Sequence, residues 1–269
     1  MSCGGVARCT PSGVPGGHRS EKLAFLAREV RDDSNTSDAG APFGMNGESL
    51  AISMDLHLST LPKSQQTLWG ELDQVPTDFV LYGGTALALR LGHRISLDFD
   101  FFNASPFEPD ELIARIPFAK GSEILQSSAN ALTILVDRGA PVKVSFFGGL
   151  GFGRMEDPQS AADNNVAIAS VIDVFASKLK TILQRSEAKD YIDIAAILAS
   201  GVSLEKGLGG ARALYGEGMN TLLPLKALCY FGDGDLETLS LEVREQLVAA
   251  VAGLGEIPGM VRRSGKLIG

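Results

Sequence analysis

Asp98 and Asp100 stand one residue apart inside the apolar run SLDFDFF, residues 96–102. Carboxylates in so hydrophobic a stretch are costly unless something pairs with them. The run alternates with a period of two, which predicts a strand. Its two aspartates then share one face, and Leu97, Phe99 and Phe101 share the other. Any fold for this chain must bury the aromatic face and offer the acidic face a positively charged partner.

The residues just upstream suggest that partner. An apolar strand over 79–82 is followed by Gly83-Gly84 as a tight turn, and by a short helix over 85–92. Glycine lets backbone N–H groups approach a phosphate closely. The Thr85 hydroxyl and the N-terminus of the helix add donors for anionic oxygens. Paired carboxylates are hard ligands suited to Mg²⁺ (or Mn²⁺), which takes its remaining ligands from water and substrate phosphates. Taken singly, a GG turn or a two-aspartate strand is usually structural; in this order and spacing the two are more specific. The layout is that needed to hold an NTP.

The rest of the chain predicts an α+β protein. Residues 1–50 are rich in Gly, Ser, Asp, Asn and Pro and read as a disordered leader, apart from a helical turn or two over 21–30. Met45 and Met54 are alternative starts. An α+β core is expected over 51–168: a helix capped by Ser64 and ended by Pro76, the strand–GGT–helix–strand unit, a helix over 107–116, and a hairpin of ALTILV and VKVSFF joined by DRGAP. A helical part follows over 169–257, then a flexible tail over 258–269. The expected fold is a small mixed β-sheet followed by a helical C-terminal half, with the ligand in the cleft between them.

Composition narrows the function classes. A net charge of −8 excludes coating nucleic acid by bulk positive charge, though not a local basic pocket. The three cysteines, Cys3, Cys9 and Cys229, suit a reducing cytoplasm and not a disulfide framework. Cys3 and Cys9 with His18 match no standard zinc spacing. No apolar stretch is long enough to span a membrane. The expected setting is cytoplasmic, with no membrane partner.

The stretch GGTALALRLGHRISLDFDFF, residues 83–102, resembles the signature of the AbiEii/AbiGii-type abortive-infection toxins. These belong to the DNA polymerase β-like nucleotidyltransferase superfamily. A second stretch, SKLKTILQRSEAKDYIDIAAIL over 177–198, is similar to the family's later motifs. The resemblance covers roughly residues 54–232 and implies site residues. Asp98 and Asp100 would hold the metal; Gly83, Gly84, Thr85 and Arg94 would bind phosphate. Lys178 and Arg185, seven apart and so on one helix face, would contact phosphates, and Asp190 would be a base or an orienter. It also implies transfer of NMP from an NTP to a hydroxyl acceptor such as tRNA, and a separately encoded antitoxin.

One departure bears on mechanism. The superfamily usually places a third carboxylate on a neighbouring strand, which here is PVKVSFF, with Lys143 and Ser145 on one face and Val144 and Phe146 on the other. Many relatives carry Asp where Ser145 stands. Asp98 and Asp100 with one metal, another acid such as Asp190, or a protein that binds nucleotide without turnover all remain open, as does a small-molecule transferase. His93 reads either as a packed or hydrogen-bonded residue beside the loop or as a ligand. Trp69 reads as core, and Tyr82 as core or base contact.

Overall fold

A computed structural model describes residues 55–216 and 218–269. The expected leader over 1–50, its helical turns, the Cys3–Cys9–His18 grouping and the alternative starts all lie outside the described residues.

The fold is α+β, with a mixed seven-stranded sheet in the order β3-β4-β5-β2-β1-β7-β6. These strands are β1 (Val80–Tyr82), β2 (Asp98–Phe102), β3 (Glu123–Ser128), β4 (Ala131–Asp137), β5 (Pro141–Phe147), β6 (Gln159–Ser160) and β7 (Ala167–Ile168). The central strands are the apolar ones. β1 runs antiparallel to β2 and parallel to β7, and β2 runs parallel to β5. β4 and β5 form the expected hairpin, with Asp137 opposite Pro141.

The helices are α1 (Lys63–Trp69), α2 (Gly83–Leu91), α3 (Pro109–Arg115), α4 (Val171–Thr181), α5 (Ala188–Ala199), α6 (Leu204–Tyr215), α7 (Leu222–Leu228) and α8 (Leu241–Ala252). Most follow the sheet, as the switch of pattern near Ser170 predicts. Serines cap three of them: Ser170, Ser203 and Ser240 accept from the backbone N–H three residues on.

One aromatic block fills the core beneath the site. Phe99 and Phe101 on β2 are fully buried, and Phe101 stacks on Phe146 of β5. Trp69 stacks on Phe99, and its indole donates to Asp163. Tyr82 is buried and stacked on Phe102, which makes it core and not a base contact.

Several local expectations change. α1 ends at Trp69, its N-cap is Pro62 without a side-chain cap, and a separate 3₁₀ turn covers Leu72–Gln74. Gly70 at the break explains why the run to Val75 is not one helix. Gly83 and Gly84 form no separate turn; they are the first two residues of α2. Leu97 precedes β2 and is 61% exposed, so it does not join Phe99 and Phe101 in the core.

The segment expected as a flexible tail is tied down. Arg154 and Ser264 form a β-bridge, the Arg154 guanidinium donates to the Lys266 and Gly269 carbonyls, and Leu267 is buried.

Candidate active site

The site is a cleft whose floor is the acidic face of β2 and whose wall is the end of α4 with the loop after it. Gly83, Gly84, Asp98, Asp100, Lys178 and Arg185 all line it. These residues come from both halves of the chain, and the sheet order brings them together: β1 and β2 are neighbours, so α2 begins directly above the aspartates.

Gly83 has φ +72°, a conformation that favours glycine, and a Cβ there would stand 3.1 Å from Asp100 Oδ2. At Gly84 a Cβ would fall 2.3 Å from an Arg94 guanidinium nitrogen. The two glycines therefore keep the start of α2 open to the carboxylate and let Arg94 pass beside it. No side chain caps α2, so the first turn has backbone N–H groups to offer an anion.

Thr85 sits differently from expectation. It is buried, its hydroxyl hydrogen-bonds the Asp98 carbonyl, and it lies 2.8 Å from Ser96 Oγ. It braces the strand that carries the acids and does not face the cleft.

Asp98 and Asp100 share the acidic face, as the period-two pattern predicts. Asp98 Oδ2 accepts from Lys143 Nζ at 2.9 Å. Burial, and then the charge of Asp98, push the Asp100 pKa above the usual carboxylate value, against the opposing pull of Lys143, Lys189 and Lys178. A cation bridging the pair would relieve that excess of negative charge. Among the described residues, no three His, Cys, Asp or Glu converge as a metal cage. Two carboxylates on one face are a donor set that fits a divalent cation completed by water and substrate oxygens.

The wall is an ionic network buried under the cleft. Lys178 Nζ lies 2.7 Å from Asp190 Oδ1 and 2.6 Å from Asp193 Oδ2. Arg185 Nε donates to Asp190 Oδ2 at 2.8 Å. Arg94 grips Asp193 by two points, and His93 Nε2 joins it at 2.8 Å. Burial alone would raise both aspartates. Lys178, with Arg185 at Asp190 and with His93 and Arg94 at Asp193, reverses that and holds both below the usual carboxylate value. Burial would likewise lower Lys178, but Asp193 and Asp190 hold it above the ordinary lysine value.

Two expected placements change. α4 ends at Thr181, so Lys178 and Arg185 do not share a helix face; Asp190 draws them together from helix and loop. Arg94 lines the cleft, but its Nε and one terminal nitrogen are turned to Asp193 and the other to the Ile95 carbonyl. Arg90 points away and clamps the Ile168 and Ala169 carbonyls.

The sequence pattern also leaves some cleft residues without a role. Ser177 and Thr181 line the wall one turn apart on α4, and Ile95 and Leu97 stand exposed at the mouth. Spacing on the predicted helix would have found the first pair; the second pair carries no such signal.

Paired acids on a sheet strand, beneath a glycine-led helix and facing a basic wall, define a nucleotidyltransferase-type site. The chain belongs to the AbiEii nucleotidyl transferase toxin family of type IV toxin–antitoxin systems, which it matches over residues 68–254. It is also 36% identical over 119 residues to an uncharacterized protein of Aquifex aeolicus (strain VF5). That match takes in 44% of this chain and 56% of the relative's length, so the chain spans little more than half of the relative.

Proposed function

We propose that the protein transfers a nucleoside monophosphate from an NTP to a hydroxyl acceptor. The acceptor oxygen attacks the α-phosphorus, the bond to the bridging oxygen of the β-phosphate breaks, pyrophosphate leaves, and the hydroxyl proton passes to solvent water. The observation that carries this reading is the placement of Asp98 and Asp100 directly beneath the open N-terminus of α2, with Lys178 and Arg185 lining the same cleft.

Each group has a physical task. Asp98 and Asp100 would hold Mg²⁺ or Mn²⁺, which when bound neutralises phosphate charge and polarises the phosphoryl oxygens. The backbone at Gly83 and Gly84 faces the phosphates. Arg185 and Lys178 add positive charge where pyrophosphate would build up negative charge. Asp190 has both oxygens engaged by these cations, which suits an orienting role and leaves no free oxygen for a base. Phosphoryl transfer depends mainly on positioning and charge neutralisation, and the cleft supplies both.

The acceptor is proposed to be tRNA or another hydroxyl-bearing molecule, with a small-molecule acceptor as the alternative. Family membership supports a toxin paired with a separately encoded antitoxin. A second reading, nucleotide binding without turnover, is favoured by Ser145, which lies beside Asp100 in the sheet where a third acid would stand.

The deciding assay uses four labelled NTPs, total bacterial tRNA and Mg²⁺, comparing wild type with Asp98→Ala/Asp100→Ala. Label that appears with wild type and vanishes in the double variant supports the transferase and names its nucleotide. Metal-dependent NTP binding without transfer to tRNA or to a panel of small hydroxyl acceptors would favour the binding-only reading. No NTP binding at all would sink both.

A further inference from the structure

Lys143 lies on β5 directly beside Asp98 on β2, and Ser145 lies beside Asp100 in the same register. Parallel neighbours in register point to one face, so the face that carries the acidic pair also carries an ammonium and a hydroxyl. The ammonium is in contact: Lys143 Nζ is 2.9 Å from Asp98 Oδ2, and both side chains are about one quarter exposed, at 24% and 27%. Ser145 is buried at the cleft floor. Ammonium and hydroxyl therefore sit two residues apart on one strand.

From this we infer that the site is built for a single divalent cation, with the Lys143 ammonium supplying the charge a second cation would otherwise bring. The inference rests on the transferase reading above.

Charge balance carries it. Two divalent cations set against three carboxylates leave one net positive charge. One divalent cation and one ammonium set against two carboxylates leave the same. A hydroxyl beside Asp100 and an ammonium against Asp98 thus give the same electrostatic sum facing the triphosphate, with one metal fewer. A lysine held 2.9 Å from one ligand of the pair also competes with any second metal for that oxygen.

The test counts metal directly. Mn²⁺ titrated into the full chain is followed by the electron paramagnetic resonance signal of the free ion. Wild type is expected to bind one Mn²⁺ per chain. Lys143→Met and Lys143→Gln should still bind one, about tenfold more tightly, because the competing charge is gone. Lys143→Arg should keep wild-type affinity. Lys143→Met/Ser145→Asp should bind two, close enough for magnetic coupling. Thermal melts verify folding; if the buried aspartate of the double variant prevents folding, the affinity of Lys143→Gln against wild type and Lys143→Arg decides.

Two Mn²⁺ in wild type, or an unchanged affinity in Lys143→Gln, overturns the inference and leaves the transferase reading standing. No Mn²⁺ bound to wild type overturns the inference and removes the metal basis of that reading with it.

Discussion

Gly84 and Arg94 are in contact: a Cβ on the glycine would stand 2.3 Å from a guanidinium nitrogen and 3.3 Å from Cζ. The backbone of Gly84 is thus the surface against which Arg94 lies while it reaches Asp193. Gly84→Ala must push the guanidinium aside. The expected loss is about 10²-fold in transfer rate, the scale of a displacement of about 1 Å at an active site. Stability should fall by about 1–2 kcal/mol, as for a part-broken two-point pair. Single-turnover rates alongside urea unfolding check this; wild-type turnover in a folded Gly84→Ala protein would contradict it.

Lys178 is buried and touches both Asp190 and Asp193, which are fully buried. Removing the cation while keeping its bulk, as in Lys178→Met, leaves two buried carboxylates short of a partner. The expected destabilisation is about 3–5 kcal/mol, the range for breaking a buried ion pair from one side. Urea denaturation measures it. A loss below about 1 kcal/mol, typical of surface pairs, would show that water reaches the network.

Asp100 is held above the usual carboxylate value by burial and by Asp98. Its folded pKa exceeds its unfolded one, so its ionisation opposes folding. That penalty appears as pH rises through the unfolded value near 4 and is complete above the folded value. Asp100→Asn should therefore abolish transfer yet raise stability near neutral pH by about 1 kcal/mol, or about 2–4 °C in Tm for a chain of this size. A lower Tm than wild type in metal-free buffer would count against this assignment.

Asp190 and Asp193 shift the other way. Their folded values are depressed by Lys178, Arg185, His93 and Arg94. The stability they contribute is present above the unfolded carboxylate value near 4 and is lost as pH falls toward the folded values. Unfolding free energy measured from pH 7 down to pH 2 should hold steady to about pH 5 and then drop. A curve that stays flat to pH 2 would mean the network adds nothing to folding.

The site's floor was legible in the sequence because strand alternation and glycine chemistry are local. Asp98, Asp100, Gly83 and Gly84 needed only their neighbours to be read. The edge strand β3 was not legible: Glu123, Ile124 and Leu125 are all exposed, so no inward-facing periodicity marks it. β6 and β7 are two residues each, too short to carry a pattern. Arg185 read as helical because the apolar run continues to Leu183, whereas the helix ends at Thr181. Thr85 looked like a phosphate donor, since its preference for the Asp98 carbonyl depends on a strand more than ten residues away. Asp193 is, in the sequence, only the second acid of the run DYIDI over 190–194. Its role as the shared acceptor for His93, Arg94 and Lys178 is a property of the docked halves.

That shared acceptor also sets a clock on synthesis. The ribosome makes the acidic pair, the glycines and Arg94 first, and Asp193 comes 99 residues after Arg94. Until α5 has emerged and docked, Arg94 and His93 have no anchor and the cleft has a floor without a wall. A nascent or prematurely released chain therefore carries the acidic strand but not the wall that faces it, and the cleft is assembled only when the helical half is complete.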